Sequence, residues 1–201
     1  LAPVQQKPMT WEEYLAWEAR QELRYEFIDG AVYAMNGGTL AHGAIGANIR
    51  EELSRQLKGG PCRRDGPTTK VQTGTGNGRY PDALVDCGPF VPDAMQAQQP
   101  TIVFEVLSQS TTWKDQNTKF ADYDATPTIQ HYAIVFQDEI CVMVYSRPAG
   151  GHFERPPTQQ LRSRSDVWHV PGFGIALPLS AVYDGLNFDE PGRAVARAAT
   201  P

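Results

Sequence analysis

No run of apolar residues in this sequence approaches the ~20 needed to cross a bilayer. The opening residues, Leu1-Ala-Pro-Val-Gln-Gln6, lack the basic start and apolar middle of a secretory signal. A soluble, cytoplasmic protein with no membrane partner is expected. Cysteine is scarce: 3 in 201 residues. Cys62, Cys87 and Cys141 are far apart and form no C-x-x-C pair, which argues against a disulfide framework or a thiolate zinc site. All three are expected to be free thiols, Cys87 and Cys141 in strands and Cys62 in a loop.

Positive charge is also in short supply. A formal net charge of −5 argues against a protein that coats nucleic acid by charge alone, because that mode needs many Lys/Arg–phosphate contacts. An enzyme that engages a phosphate locally remains open. Arg63, Arg64 and Lys70 form one small basic group, and Arg155, Arg162 and Arg164 another. No serine or cysteine lies in a nucleophile motif such as G-x-S-x-G. Gly74-Thr-Gly-Asn-Gly78 lacks the Gly-Lys-Ser/Thr ending of a phosphate loop and has no helix after it, so it reads as a hairpin tip.

What is present is enough apolar residue, 41% against 20% charged, to bury a sheet between helices. Thr10-Trp-Glu-Glu13 is a capping box opening a helix to about Arg20. Two β-prone runs, 23–28 and 31–35, flank Asp29-Gly30, a turn in which both central residues need positive φ. Ile45, Ile49, Leu53 and Leu57 recur every four residues and mark one buried face of a helix over 41–57. Strands are expected at 70–73 and 79–86, then a proline-rich loop over 88–100. A buried strand follows at 101–107, and then a helix from Ser110 or Thr111 to about Asp124. A second hairpin pairs 131–136 with 140–146, short strands are expected at 152–155 and 166–170, and Gly174–Leu179 closes the sheet. The order predicts one α/β domain over 8–185, a mixed β-sheet flanked by α-helices with an N-terminal helix and β-hairpin, and flexible tails at 1–7 and 189–201.

Glu105 is the most informative residue. An ionised carboxylate inside Ile102-Val-Phe-Glu-Val-Leu107 is costly to bury unless it is paired or bound to a cation. The plain alternative is a wet strand edge or an arginine partner. Asp82, after Tyr80-Pro81, opens another β-prone run, where a proline is tolerated. Two neighbouring strands with one carboxylate each make an oxygen-rich pocket suited to a hard divalent cation, Mg²⁺ or Mn²⁺. Asp115, Lys119 and Tyr123 are spaced by four and share a helix face. Lys119 from that face can orient a nucleophilic water or offset phosphate charge. It can equally be a solvated lysine held by Asp115, and Lys114 is its rival on another face.

Pro81-Asp82, a strand ending in Glu105-Val-Leu-Ser108, then Asp115 and Lys119, together resemble the PD-(D/E)XK nuclease superfamily. More narrowly, the chain resembles the Uma-two family of restriction-endonuclease-like proteins. Met9-Thr-Trp-Glu-Glu-Tyr14, Tyr25-Glu-Phe-Ile-Asp-Gly30, His42 opening a helix, Phe104-Glu-Val-Leu-Ser-Gln-Ser-Thr111 and Gly172-Phe-Gly174 carry that likeness. The resemblance implies a restriction-endonuclease-like fold with Asp82, Glu105 and the Val106 carbonyl as metal ligands. It moves the catalytic lysine from the strand, where Leu107 stands, to Lys119, and places Glu26 and His42 in the same cleft. It also implies Mg²⁺ (or Mn²⁺) as cofactor, nucleic acid, DNA above all, as substrate, and a homodimer. His131-Tyr-Ala133 and Val135-Phe-Gln137 depart from the family pattern at positions that bear on packing or assembly. Two rival functions stand beside metal-dependent phosphodiester hydrolysis. One is a catalytically silent nucleic-acid-binding or assembly module; the other is a structural homodimer with Glu105 neutralised internally. His131, His152 and His169 lack ligand-like spacing and read as structural.

Overall fold

The computed structural model describes residues 3–4, 7–35, 37–107 and 113–188. Helix α1 (Trp11–Glu18) starts at the expected capping box, in which Thr10 and Glu13 each accept the other's backbone N–H. Strands β1 (Tyr25–Ile28) and β2 (Ala31–Ala34) are joined by Asp29 at φ 50° and Gly30 at φ 81°, the left-handed pair that a tight hairpin requires. Helix α2 (Leu40–Gln56) buries Ile45, Ile49 and Leu53. The chain continues through β3 (Arg63–Asp65), β4 (Val71–Gln72), β5 (Gly78–Arg79), β6 (Ala83–Asp86), β7 (Pro100–Leu107) and α3 (Trp113–Asp124). It closes with β8 (His131–Phe136), β9 (Val142–Ser146), β10 (Gln159–Leu161), β11 (Val167–Val170), β12 (Ile175–Pro178) and α4 (Leu179–Val182).

Six strands form the central mixed sheet in the order β10-β9-β8-β7-β6-β3. Only β7 and β8 pair in parallel there; the other neighbours are antiparallel. Side chains alternate across a strand, so β7 feeds two cores. Ile102, Phe104 and Val106 join α2, α4 and the β11–β12 ribbon on one face. Val103 packs with Phe120 and Tyr123 of α3 on the other. A smaller sheet, β2-β1-β5-β4, packs against α1 through Tyr14, Tyr25, Phe27 and Val32.

The structure corrects several expectations and adds two strands. The run 79–86 is two strands in two sheets, broken at Tyr80-Pro81-Asp82, because Pro81 has no N–H to donate to a ladder. Strands β3 and β10 lie at the two edges of the large sheet. Their polar sequences, Arg-Arg-Asp and Gln-Gln-Leu, have no apolar alternation and so no signal of period two. No strand forms over 152–155, and Ile175–Pro178 pairs with Val167–Val170 in a separate two-stranded ribbon, so it does not close the large sheet. Cys62 and Cys87 are not free thiols but a disulfide, and Cys141 alone is free and buried. The antiparallel register that pairs Arg63 with Asp86 sets the flanking Cys62 and Cys87 opposite each other, a relation that their separation of 25 residues does not disclose. The N-cap expected at Ser110 or Thr111 and the tail 189–201 lie outside the described residues. At the other end, Val4 donates its N–H to the Val32 carbonyl.

Closing a loop of this length removes chain entropy from the unfolded state, a gain of about 3–4 kcal/mol. Reduction with dithiothreitol is therefore expected to lower stability by that order, read as a shift in the urea midpoint. The doubly substituted Cys62→Ala, Cys87→Ala chain should show no further response to reductant.

Candidate active site

Glu105 sits on β7 opposite the corner that carries Asp82. Ala83 pairs with Phe104 in the β6–β7 ladder, so the residues one step beyond, Asp82 and Glu105, face each other at the ladder's end. Glu105 is only 8% exposed. Its Oε2 lies 2.7 Å from Lys119 Nζ, and its Oε1 accepts from the Tyr123 hydroxyl at 2.6 Å. Lys119 and Tyr123 are one helical turn apart on α3, the face that the spacing of four predicted. Asp82 is held differently. Oδ1 lies 2.8 Å from His42 Nε2, Oδ2 accepts from the Val106 N–H at 2.7 Å, and its backbone carbonyl accepts from Arg50 Nη1 at 2.7 Å.

Glu26, on β1 of the smaller sheet, points one carboxylate oxygen at Lys119, 3.6 Å away, and the other at Arg79, 2.8 Å away. Arg79 belongs to β5, the strand that pairs with β1 on the side away from the hairpin, and is 0% exposed. It also bonds Asp122 through Nε at 2.7 Å. Asp122 in turn accepts from the side chains of Thr75 and Asn77. Lys119, Glu26, Arg79 and Asp122 thus form a ring of alternating charge closed by one turn of α3. His42 lies in the first turn of α2, but the capping is done by Thr39, whose hydroxyl accepts the His42 N–H. The His42 ring is turned to Asp82, and its buried Nδ1 has no partner among the described residues.

These contacts set the protonation of the cluster. Burial, with Asp82 and Glu26 nearby, pushes the Glu105 carboxyl up to about 7 even though Lys119 opposes it. Burial works to raise Glu26, but Lys119 and Arg79 hold it below the usual carboxylate range. Burial works to lower Lys119, and Glu105 and Glu26 outweigh it, so the ammonium is held firmly protonated. The hydrogen bond to Asp82 raises His42 despite its burial. One cation and a histidine therefore face three carboxylates at the mouth of the cluster, with Arg79 behind them.

Asp82, Glu105, Lys119, Glu26 and His42 are all brought into this one network, with the Val106 backbone beside them. The Lys114 side chain lies outside the described residues. Arg50, Arg79, Asp122 and Tyr123 complete it and were not singled out from the sequence as site residues. Arg79 had one legible signal, a charge directly before Tyr-Pro-Asp in an otherwise apolar run. The remaining histidines sit elsewhere: His131 bonds Ser146 and the Pro171 carbonyl, and His152 bonds Asp124. Removing the guanidinium at Arg79 leaves Asp122, 2% exposed, without its ion partner and takes from Glu26 the closer of its two cations. Arg79→Ala is thus expected to cost about 3–5 kcal/mol, measured by chemical denaturation.

Comparison with known proteins places the chain in a family. The model of the family Uma2, described as "Putative restriction endonuclease", matches residues 11–180. The uncharacterized protein slr1290 of Synechocystis sp. is 32% identical over 179 residues, covering 88% of this chain and 92% of its own. A second uncharacterized Synechocystis protein, sll1609, is 26% identical over 144 residues, 69% of this chain and 79% of that one. Among solved structures, a crystal structure titled as a putative nuclease belonging to DUF820 from Anabaena variabilis superposes with a TM-score of 0.68. It is 18% identical and spans 87% of this chain and 97% of that one; the likeness is one of fold. No helix among the described residues is long and apolar enough to cross a membrane. With its family match running from the start of α1 into α4, the chain belongs to the Uma2 family of restriction-endonuclease-like proteins.

Proposed function

We propose that the chain is a metal-dependent nuclease that hydrolyses phosphodiester bonds in nucleic acid, DNA above all. The observation that carries this reading is the meeting of Asp82 and Glu105 at the open end of the β6–β7 ladder, with Lys119 bonded to Glu105. The donor set fits a hard divalent cation. Among the described residues each carboxylate oxygen of Asp82 and Glu105 has a single hydrogen-bond partner, and a carboxylate oxygen has two lone-pair directions, so all four keep acceptor capacity there. Val106 sends its N–H to Asp82, and in a β-ladder the carbonyl of a residue leaves on the same edge as its N–H. Mg²⁺ is commonly held by one or two carboxylates with water completing its shell. Asp82, Glu105 and the Val106 carbonyl would hold Mg²⁺ or Mn²⁺. The chemistry such an ion supplies when bound is acidification of a water and neutralisation of phosphate charge.

The chain's own residues do the positioning. Tyr123 and Lys119 fix the two oxygens of Glu105, and His42 and the Val106 N–H fix those of Asp82. Lys119 carries a charged donor beside the acids, where it can orient the attacking water and stabilise charge building on a phosphate oxygen. Glu26, steadied by Arg79, keeps Lys119 from collapsing wholly onto Glu105 and supports the outer shell. A donating His42 is favoured by its bond to Asp82. The homodimer implied by the resemblance belongs to the same proposal.

One observation favours a second reading, a catalytically silent module. The acidic balance of the chain, a net charge of −5, disfavours the broad phosphate contact that tight DNA engagement uses. Incubating the purified protein with plasmid and linear DNA, with Mg²⁺, with Mn²⁺ or with EDTA, decides between them. Metal-dependent cleavage lost in Asp82→Asn supports the nuclease; no cleavage with either ion sinks it.

A further inference from the structure

Of the basic residues that stand out in the sequence near the site, two are neutralised by the fold. Arg63 bonds Asp86 at 2.7 Å together with the carbonyls of Gly88 and Pro89. Lys70, 2% exposed, pairs with the buried Glu18 at 2.5 Å inside a cage of Tyr14, Trp11 and Tyr80. Arg64 is different. It is exposed on the edge strand β3 and has no acidic side chain bonded to it among the described residues. Its register partner is Val85. Directly opposed residues of an antiparallel pair share a face, and Val85 lies on the α2 face of the sheet, so Arg64 rises on that face too.

A second guanidinium stands on the same face. Arg50 of α2 crosses above Gly46 to reach the Asp82 carbonyl. A Cβ at Gly46 would come within 3.0 Å of Arg50 Nη1, so the glycine leaves the lane that Arg50 uses. Arg50, too, has no bonded carboxylate among the described residues; its hydrogen-bond partner there is the Asp82 backbone carbonyl. Burial lowers its affinity for the proton, with Arg64 adding to that effect and Asp82 opposing it. The two guanidiniums rise on one face of the sheet, Arg50 from α2 and Arg64 from β3, and an oxyanion seated between them accepts charge-assisted hydrogen bonds from both.

We propose that Arg50 and Arg64 are a phosphate-binding clamp, one that seats a backbone phosphate of DNA on the α2 side of Asp82. This deepens the nuclease reading and rests on it for the placement of the seated phosphate beside the bond that is cut. It also accounts for how a chain of net charge −5 can grip a polyanion, through one local cationic spot opposite an acidic, cation-holding pair.

The test is DNA binding in EDTA, which needs no turnover. Fluorescence anisotropy of a short labelled duplex, and of the corresponding single strand, is followed across a salt series for wild type, Arg64→Gln and Arg64→Glu. Removing one cation that grips a phosphate flattens the slope of log Kobs against log salt by about 0.9 for duplex and about 0.7 for single strand. We expect that flattening in Arg64→Gln with an affinity loss of about fivefold, and a larger loss in Arg64→Glu. Unlabelled DNA should displace the probe, and inorganic phosphate at the same phosphate concentration should not. An unchanged slope in both variants overturns the clamp, as does a wild type that binds no DNA. Inorganic phosphate competing as well as DNA also overturns it, since the pair would then serve a free anion. Cleavage by wild type with an unchanged slope sinks the clamp and spares the nuclease; a flattened slope without cleavage does the reverse.

Discussion

Lys119→Met is expected to reduce DNA cleavage by about 10²–10³-fold while leaving Mn²⁺ binding intact or tighter. The contrast with Asp82→Asn is the informative part. Lys119 is the cation that Glu105 and Glu26 share. Removing it strips a charged donor from the reacting centre but leaves both carboxylates in place with more negative charge around them. An ion attracted to Asp82 and Glu105 is then held at least as well. Asp82→Asn instead removes half of the donor pair. A loss of several kcal/mol of charge stabilisation corresponds to about 10³-fold or more in rate, and Mn²⁺ binding should fall with it. Calorimetric titration with Mn²⁺ alongside initial cleavage rates separates the two roles. If both variants lose metal together, Lys119 acts in holding the ion's site and not in the chemistry.

Metal affinity is also expected to depend steeply on pH, because Glu105 is held near neutral protonation by its burial. Its carboxyl is pushed from 4.5 up to about 7, so between those values the folded chain carries a proton that the unfolded chain has lost. With more protons on the native state, stability falls as pH rises through this window. The stability is fully present below the unfolded value and is lost by the folded one. The difference is on the order of 3 kcal/mol for a group this buried. A cation bound at Asp82 and Glu105 favours the ionised form. Mn²⁺ binding should therefore release close to one proton at pH 6, and its affinity should rise by up to about tenfold per pH unit until pH 7. Titration in buffers of different ionisation heat reads the released proton. Urea midpoints from pH 4.5 to 8 read the stability, and added Mg²⁺ should flatten that curve. In Glu105→Gln the pH slope in this window should disappear. A slope that survives the substitution would place the titrating group elsewhere.

The large sheet's centre is legible in the sequence because β7 is apolar on both faces and β8 forms one arm of a β-prone hairpin. α2 was legible from its four-residue repeat, and the Asp29-Gly30 turn from its demand for positive φ. Glu105 announced itself as a charge that a buried strand does not tolerate unpaired. The edges did not announce themselves, since β3 and β10 are short and polar. The disulfide stayed hidden for the same reason: without β3, nothing sets Cys62 across from Cys87. Within the site, a spacing of four placed Lys119 and Tyr123 on one face. Arg79 and Asp122 meet across 43 residues of chain, and only the packing of α3 against the smaller sheet brings them together. The spacing makes Tyr123 a face-mate of Lys119, and its hydroxyl bond to Glu105 depends on the depth at which α3 sits above β7.

The corner at Tyr80-Pro81-Asp82 has a consequence for how this site can diverge. Asp82 and Glu105 ride on one ladder, so their mutual spacing is a property of a single rigid lattice. Glu26 and Arg79 are carried by the other sheet, across a three-residue bend. Altering the tilt of the smaller sheet, by repacking α1 beneath it, moves Glu26 relative to the acid pair without disturbing the pair itself. The architecture thereby separates what must stay constant from what can drift, and variation in reactivity or target among such proteins has a mechanical route that never touches the paired acids.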